Sequence, residues 1–96
     1  MSGSARYVWD PAKAAANKRR HGISFETAIR VFADPFHVSE QDRIEGAEYR
    51  WQTLGIVEGF TLLLVAHKWT DADGIEIIRI ISARRAEKRE RKRHEQ

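Results

Sequence analysis

Arg79 is the only charged side chain within Ile77-Ile78-Arg79-Ile80-Ile81, and a guanidinium set in such a run has to find a carboxylate, a phosphate or water. Period-two alternation places it on one strand face with Ile77 and Ile81, which makes simple exposure uncomfortable; a structural ion pair explains it as well as an anion site does. Glu48 and Arg50, in Gly46-Ala47-Glu48-Tyr49-Arg50-Trp51, alternate along a strand and share a face. Glu48 either holds Arg50 or acts as a base beside it, and a cross-strand ion pair is the plainer reading of the two. His67, in Ala66-His67-Lys68-Trp69, sits at a strand end where titration near neutral pH is usable, although a lone strand histidine is more often structural. Lys18, Arg19, Arg20 and His21 close a helix, where the helix dipole favours cations without any ligand. Together these side chains are what metal-free RNA cleavage by the 2'-hydroxyl needs: a base, an acid, and cations for the developing phosphorane charge.

Other chemistries lack their parts. His21, His37, His67 and His94 are scattered, with no two at i,i+3 or i,i+4 and no carboxylate in a ligand pattern, so no metal site is expected. Gly55 and Gly59 lie in a strand meander and not between a strand and a helix, which rules out a phosphate-cradling loop. The chain has no cysteine, which removes disulfides, thiolate zinc sites and cysteine nucleophiles, and no apolar run long enough for a membrane span. No cofactor is expected, and a cytoplasmic location is the default.

Charge is distributed more tellingly than it sums. With 17 Lys+Arg and 14 Asp+Glu, the 96 residues carry a net charge of only +3. Residues 83–96 hold seven of those cations against three Glu, and Lys13 to His21 adds four more without an acid. Residues 34–48 carry Asp34, Glu40, Asp42, Glu45 and Glu48 against one Arg43. Two basic ends around an acidic middle suit a chain that meets nucleic acid on one face and something basic, or solvent, on another.

The elements that must position these groups form one small domain over 6–96, preceded by a flexible leader at 1–5. Arg6 to Trp9 reads as a strand or extended arm stopped by Asp10-Pro11, an N-cap followed by proline at the first helical position. That helix runs to about His21 and ends at Gly22; Ser24 caps a second over Phe25 to Ala33, ended by Asp34-Pro35. Strands are expected over Phe36 to Ser39, Tyr49 to Val57, Phe60 to Lys68 and Ile75 to Ser82, with hairpin turns at Glu58-Gly59 and Asp73-Gly74. A basic helix over about 83–95 follows, with i,i+4 pairs such as Glu87 with Arg91. The class is α+β: two N-terminal helices packed on an antiparallel meander, with a basic C-terminal helix. Of Trp9, Trp51 and Trp69, two are expected in the core.

Tyr7-Val8-Trp9-Asp10-Pro11-Ala12-Lys13-Ala14, Asn17-Lys18 with His21-Gly22-Ile23-Ser24-Phe25, Val31-Phe32-Ala33-Asp34-Pro35, Glu48-Tyr49-Arg50, and Arg79-Ile80-Ile81-Ser82-Ala83-Arg84 with Glu90-Arg91 make a specific combination. It closely resembles the BrnT toxins of bacterial type II toxin-antitoxin modules. The resemblance covers nearly everything from Tyr7 to Arg93. It implies a RelE-like ribonuclease that arrests growth, is neutralised by a BrnA-type antitoxin with antitoxin-mediated dimerisation, and meets operator DNA only through that antitoxin. Carried over by residue, it points to Lys18, His21, Glu48, Arg50, Arg79 and Arg84. On that reading Arg79 and Arg84 bind the scissile phosphate, Arg50 supports the transition state, and Lys18, His21 or His67 moves protons. Arg19, Arg20, Lys68, Arg85 and Lys88 are the further cations expected to hold RNA. His67 stands where the resemblance supplies no expectation of a histidine, and His94 stands where related ribonucleases lead one to expect an aromatic.

Two readings of other classes compete. A non-catalytic nucleic-acid-binding module would explain the basic ends but has no need of Glu48 beside Arg50. A pure interaction domain would use its Arg-rich end to hold an acidic, antitoxin-like chain and cut nothing.

Overall fold

The protein was analysed as a computed structural model, which describes residues 5–46 and 48–95. Of the expected leader, residues 1–4 lie outside the described residues, while Ala5 already belongs to the first strand. The chain runs β1 (Ala5–Val8), α1 (Pro11–His21), α2 (Phe25–Ala28), a 310 helix (Ile29–Ala33), β2 (Val38–Glu45), β3 (Glu48–Val57), β4 (Thr61–Ala72), β5 (Ile75–Arg85) and α3 (Lys88–Glu95).

The stop and start signals act as their chemistry dictates. The Asp10 side chain accepts from the Ala12 amide, Gly22 takes the left-handed conformation at φ 73°, and Ser24 caps α2 by accepting from the Thr27 amide. The expected second helix tightens to 310 geometry after Ala28, because Val31 and Phe25 must both reach the core while the chain turns toward Asp34-Pro35. Asp73 and Gly74 both have positive φ, the geometry of a two-residue hairpin turn that follows strand twist.

Strand order is β1-β5-β4-β3-β2, antiparallel throughout except that β1 lies parallel to β5. The meander is therefore a mixed sheet, with the expected N-terminal arm as its edge strand. Further boundaries move. Strand β4 runs to Ala72 and not to Lys68, because Trp69 to Ala72 go on pairing with Ile75 to Ile78 up to the turn. Strand β2 extends to Glu45, because the hairpin with β3 continues through a bulge at Asp42. Strand β5 extends to Arg85, so Ala83-Arg84-Arg85 is strand and not the start of the basic helix. Its ladder partners are Leu63 to Val65, and its other edge is satisfied by α1: Asn17 Nδ2 donates to the Ala83 carbonyl at 2.9 Å and Asn17 Oδ1 accepts from the Ala83 amide at 3.1 Å. One buried side chain thus stands in for a missing strand.

Two cores lie on opposite sides of the sheet. On the inner side Ile23, Phe25, Ala28 and Val31 pack on Val57, Leu63, Val65, Ile78, Ile80 and Ala83. The helices come close enough there that a Cβ on Gly55 would stand 2.7 Å from the Val31 carbonyl oxygen. On the outer side a smaller cluster of Leu54, Leu62 and Leu64 lies beneath Ala86 and α3. Of the tryptophans, Trp9 packs on the inner core edge-to-face with Phe25; Trp51 is half-buried and Trp69 is 38 % exposed. The expectation of two core tryptophans therefore fails, because the sheet extends beyond the helices that would cover Trp51 and Trp69.

Candidate nucleic-acid interface

Register decides which cations meet. Arg43 pairs with Arg50 across β2 and β3, Arg50 with Lys68 across β3 and β4, and Lys68 with Arg79 across β4 and β5. Directly opposed residues share a face, so these four form one row across the open half of the outer face, with neighbouring strands about 4.8 Å apart. Like charges so placed repel one another, which raises the local positive potential and favours an anion. Arg79 is exposed, with no ion pair among the described residues. It shares its face with Ile77; the bulge beside Ile81 ends the simple alternation that had tied the two together.

Carboxylates border the row. Glu48 Oε1 lies 3.4 Å from Lys68 Nζ, and Asp42 Oδ2 lies 3.6 Å from Arg50 Nε while accepting from Gln52 at 3.4 Å. Glu48 and Arg50 do share one face, but the pair that Glu48 makes here runs across strands to Lys68.

Further along the strands, the other half of the outer face is covered by α3, which is clamped down. Arg84 donates to both carboxylate oxygens of Glu90 at 2.9 and 2.8 Å, Arg93 pairs with Glu40, and His94 Nε2 lies 2.9 Å from Asp34 Oδ2. Burial alone would raise the Asp34 carboxyl, but the Ile56 and Phe36 amides and His94 outweigh it and hold it below the usual range. For Glu90, burial again pushes upward and is outweighed, here mainly by Arg84. Arg84 is thus occupied in fixing α3 on the sheet, which is a different task from the phosphate contact expected of it.

His67 points the other way. It is fully buried on the inner face, edge-on to Phe32 at 5.1 Å, and its Nε2 shares a 2.8 Å hydrogen bond with Thr53 Oγ1, which in turn meets Ser39 Oγ at 2.7 Å. Burial lowers its pKa to about 4 against a smaller raising effect of the Lys68 backbone, so the ring is neutral at pH 7. Odd and even positions of β4 project to opposite faces, and that alone separates His67 from Lys68 and the cation row.

The α1 group stands apart from the row as well. Lys18, Arg19 and Arg20 are exposed, and half-buried His21 lines a shallow cavity of about 220 Å³ with Lys13, Asn17, Arg20, Ile81 and Ser82 at the β5 edge. Arg85 lies 5.7 Å over the Phe60 ring, and Lys88 is exposed on α3. The structure therefore unites Glu48, Arg50, Lys68 and Arg79, leaves Lys18, Arg19, Arg20, His21, Arg85 and Lys88 outside the row, and removes His67. Sequence reading missed Arg43 and Asp42. Their signal was the hairpin turn at Gly46, which sets Arg43 opposite Arg50 once the bulge is counted.

The description "Ribonuclease toxin, BrnT, of type II toxin-antitoxin system" belongs to a family whose model matches residues 9–90. The chain belongs to this family. The BrnT match runs from the residue after β1 into the first turn of α3, and so takes in the whole cation row. A comparison with curated protein sequences found no match. Among solved structures, the chain is similar to the ribonuclease toxin BrnT of Brucella abortus, at 20% identity and a TM-score of 0.61, covering 90% of this chain and 100% of that one. This likeness carries the α+β fold with its five-stranded sheet. No described helix is long and apolar enough to cross a membrane, and no described group of three or more His, Asp or Glu side chains is placed to hold a metal ion.

Proposed function

We propose that the chain is a metal-independent endoribonuclease toxin that works on the open half of the outer sheet face. The observation that carries this reading is the register that sets Arg43, Arg50, Lys68 and Arg79 in one row with Glu48 against it. A phosphodiester lying across the row meets Arg50 and Arg79 from two strands, and their guanidinium donors suit the equatorial oxygens of a phosphorane. Glu48 takes the proton of the attacking 2'-hydroxyl as the 2'-oxygen bonds to phosphorus. The bond to the 5'-oxygen breaks, and Lys68 returns a proton to that leaving oxygen. The products are a 2',3'-cyclic phosphate and a 5'-hydroxyl, with no redox change and no metal required.

His21 and Lys18 then flank the site from α1 as contacts for RNA beyond the scissile bond, as do Arg19, Arg20, Arg85 and Lys88. Arg84 acts indirectly, by holding α3. In this reading the toxin is cytoplasmic, inhibits growth by cutting RNA, and is neutralised by a BrnA-type antitoxin that supplies dimerisation and operator binding.

Purified protein incubated with single-stranded and structured RNA in excess EDTA tests the proposal. Cleavage that leaves cyclic phosphate ends, and is lost in Arg79→Ala and Glu48→Gln, is the expected result. RNA retained but uncut by the wild type would make the row a binding site only.

A further inference from the structure

The same strands that carry the cation row carry a surface of opposite character on their other side. Beyond the helices, the inner face presents Ile44, Tyr49, Trp51 and Trp69, with Ile44 62 %, Tyr49 52 % and Trp69 38 % exposed. Ile44 opposes Tyr49 in the ladder, and the Trp51 and Trp69 rings meet edge-on at 5.6 Å. Exposed aromatic side chains grouped in this way mark an interaction surface more often than an accident of packing.

Charge decides what could sit there. Asp71 and Glu76 oppose each other across β4 and β5 next to Trp69, and the Trp69 indole N–H donates to Glu76 Oε2 at 3.1 Å, which fixes the ring. The negative field reaches Tyr7, whose hydroxyl pKa is raised first by burial and then by Glu76. Strand alternation sends Arg43, Arg50, Lys68 and Arg79 to the opposite face, so no Lys or Arg of these strand segments projects into the aromatic surface. A phosphate backbone would be repelled here. A lysine or arginine would meet the exposed Asp71 carboxylate and the faces of indole and phenol rings, which attract cations.

We propose that this aromatic, acid-edged half of the inner face docks a Lys/Arg-bearing amphipathic segment of a partner protein, on the side of the sheet opposite the RNA row. Electrostatics gives the partner its orientation, and burial of the Trp69 and Tyr49 rings supplies the apolar contact. A partner so placed leaves the cation row uncovered, so it could remain bound while RNA is engaged.

The test is a tryptophan-fluorescence titration with a short synthetic peptide of alternating Lys and Leu. A Glu/Leu peptide of equal length, a uridine oligonucleotide, and a dilution series of the protein alone complete the set. Asp71→Lys and Trp69→Ala are the variants, since both side chains are exposed and Trp51 still reports in the second. Saturable binding of the Lys/Leu peptide, weakened about tenfold or more in each variant while RNA cleavage and exposed Glu26→Lys are unaffected, is the expected outcome. Equal binding of the Glu/Leu peptide, displacement by the oligonucleotide, a signal explained by self-association, or unchanged affinity in both variants would overturn the proposal. The peptide-binding readouts do not depend on whether the toxin cuts RNA.

Discussion

His67 and Lys68 are chain neighbours with opposite fates. One is sealed neutral against Phe32 on the covered face, and the other stands in a row of cations on the open face. The two faces of the sheet teach that in a β protein the chemistry of a residue is assigned by parity before it is assigned by type. A histidine that invites a catalytic reading becomes a structural one, and a lysine with no special context enters the site. Where helices cover a face, polar groups survive by bonding one another, as Ser39, Thr53 and His67 Nε2 do; where the face is open, like charges can accumulate.

The largest expected effect separates the faces outright. Arg79→Ala should slow RNA cleavage by about 10²–10³-fold, the usual loss for one transition-state donor, with the melting temperature nearly unchanged because the side chain is exposed. A large fall in stability instead would mean that Arg79 is structural and the open face is not specialised. On the covered face the pattern inverts: His67→Ala should cost about 3 kcal/mol through the cavity and the stranded Thr53 hydroxyl. Cleavage per folded molecule should survive, and its complete loss would return His67 to the reaction.

The same histidine gives a pH test. Its folded pKa of about 4 lies below the 6.5 of the unfolded chain, so unfolding takes up a proton between those values. Stability is complete above pH 6.5 and falls as the pH drops toward 4, by an amount that approaches about 3 kcal/mol. Denaturant midpoints of wild type and His67→Gln across that range should converge at acid pH; parallel curves would refute the assignment. Asn17→Ala should cost about 2 kcal/mol, since it strands both backbone groups of Ala83. Smallest of all, Arg93→Ala should shift stability by less than about 1 kcal/mol, because its pair with Glu40 faces solvent.

Much of this was legible from the chain alone. Local signals placed the helix caps at Asp10, Gly22 and Ser24 and the hairpin turns at Gly59 and Gly74, because each is settled within a few residues. The family resemblance was carried by motifs that the match over residues 9–90 bears out. What escaped was non-local. Nothing near Arg6 to Trp9 says that this arm will lie parallel to a strand some seventy positions away, and nothing near Ala83 says that Asn17 will complete its hydrogen bonds. The site suffered for the same reason: Glu48 and Arg50 share a face by simple alternation, but the opposition of Arg43, Lys68 and Arg79 depends on register and on two bulges.

The Asn17 contact has a consequence for the molecule among its copies. Every sheet has two borders at which another chain can join. Here one border is β1 itself, only four residues long, and beyond it the Asn17 amide takes up the edge of β5 at Ala83. The other border, β2, is bent by its bulge and carries Glu40, Asp42 and Arg43, so an approaching strand meets curvature and charge. Neither side therefore offers a template for a sixth strand that is at once long, straight and neutral.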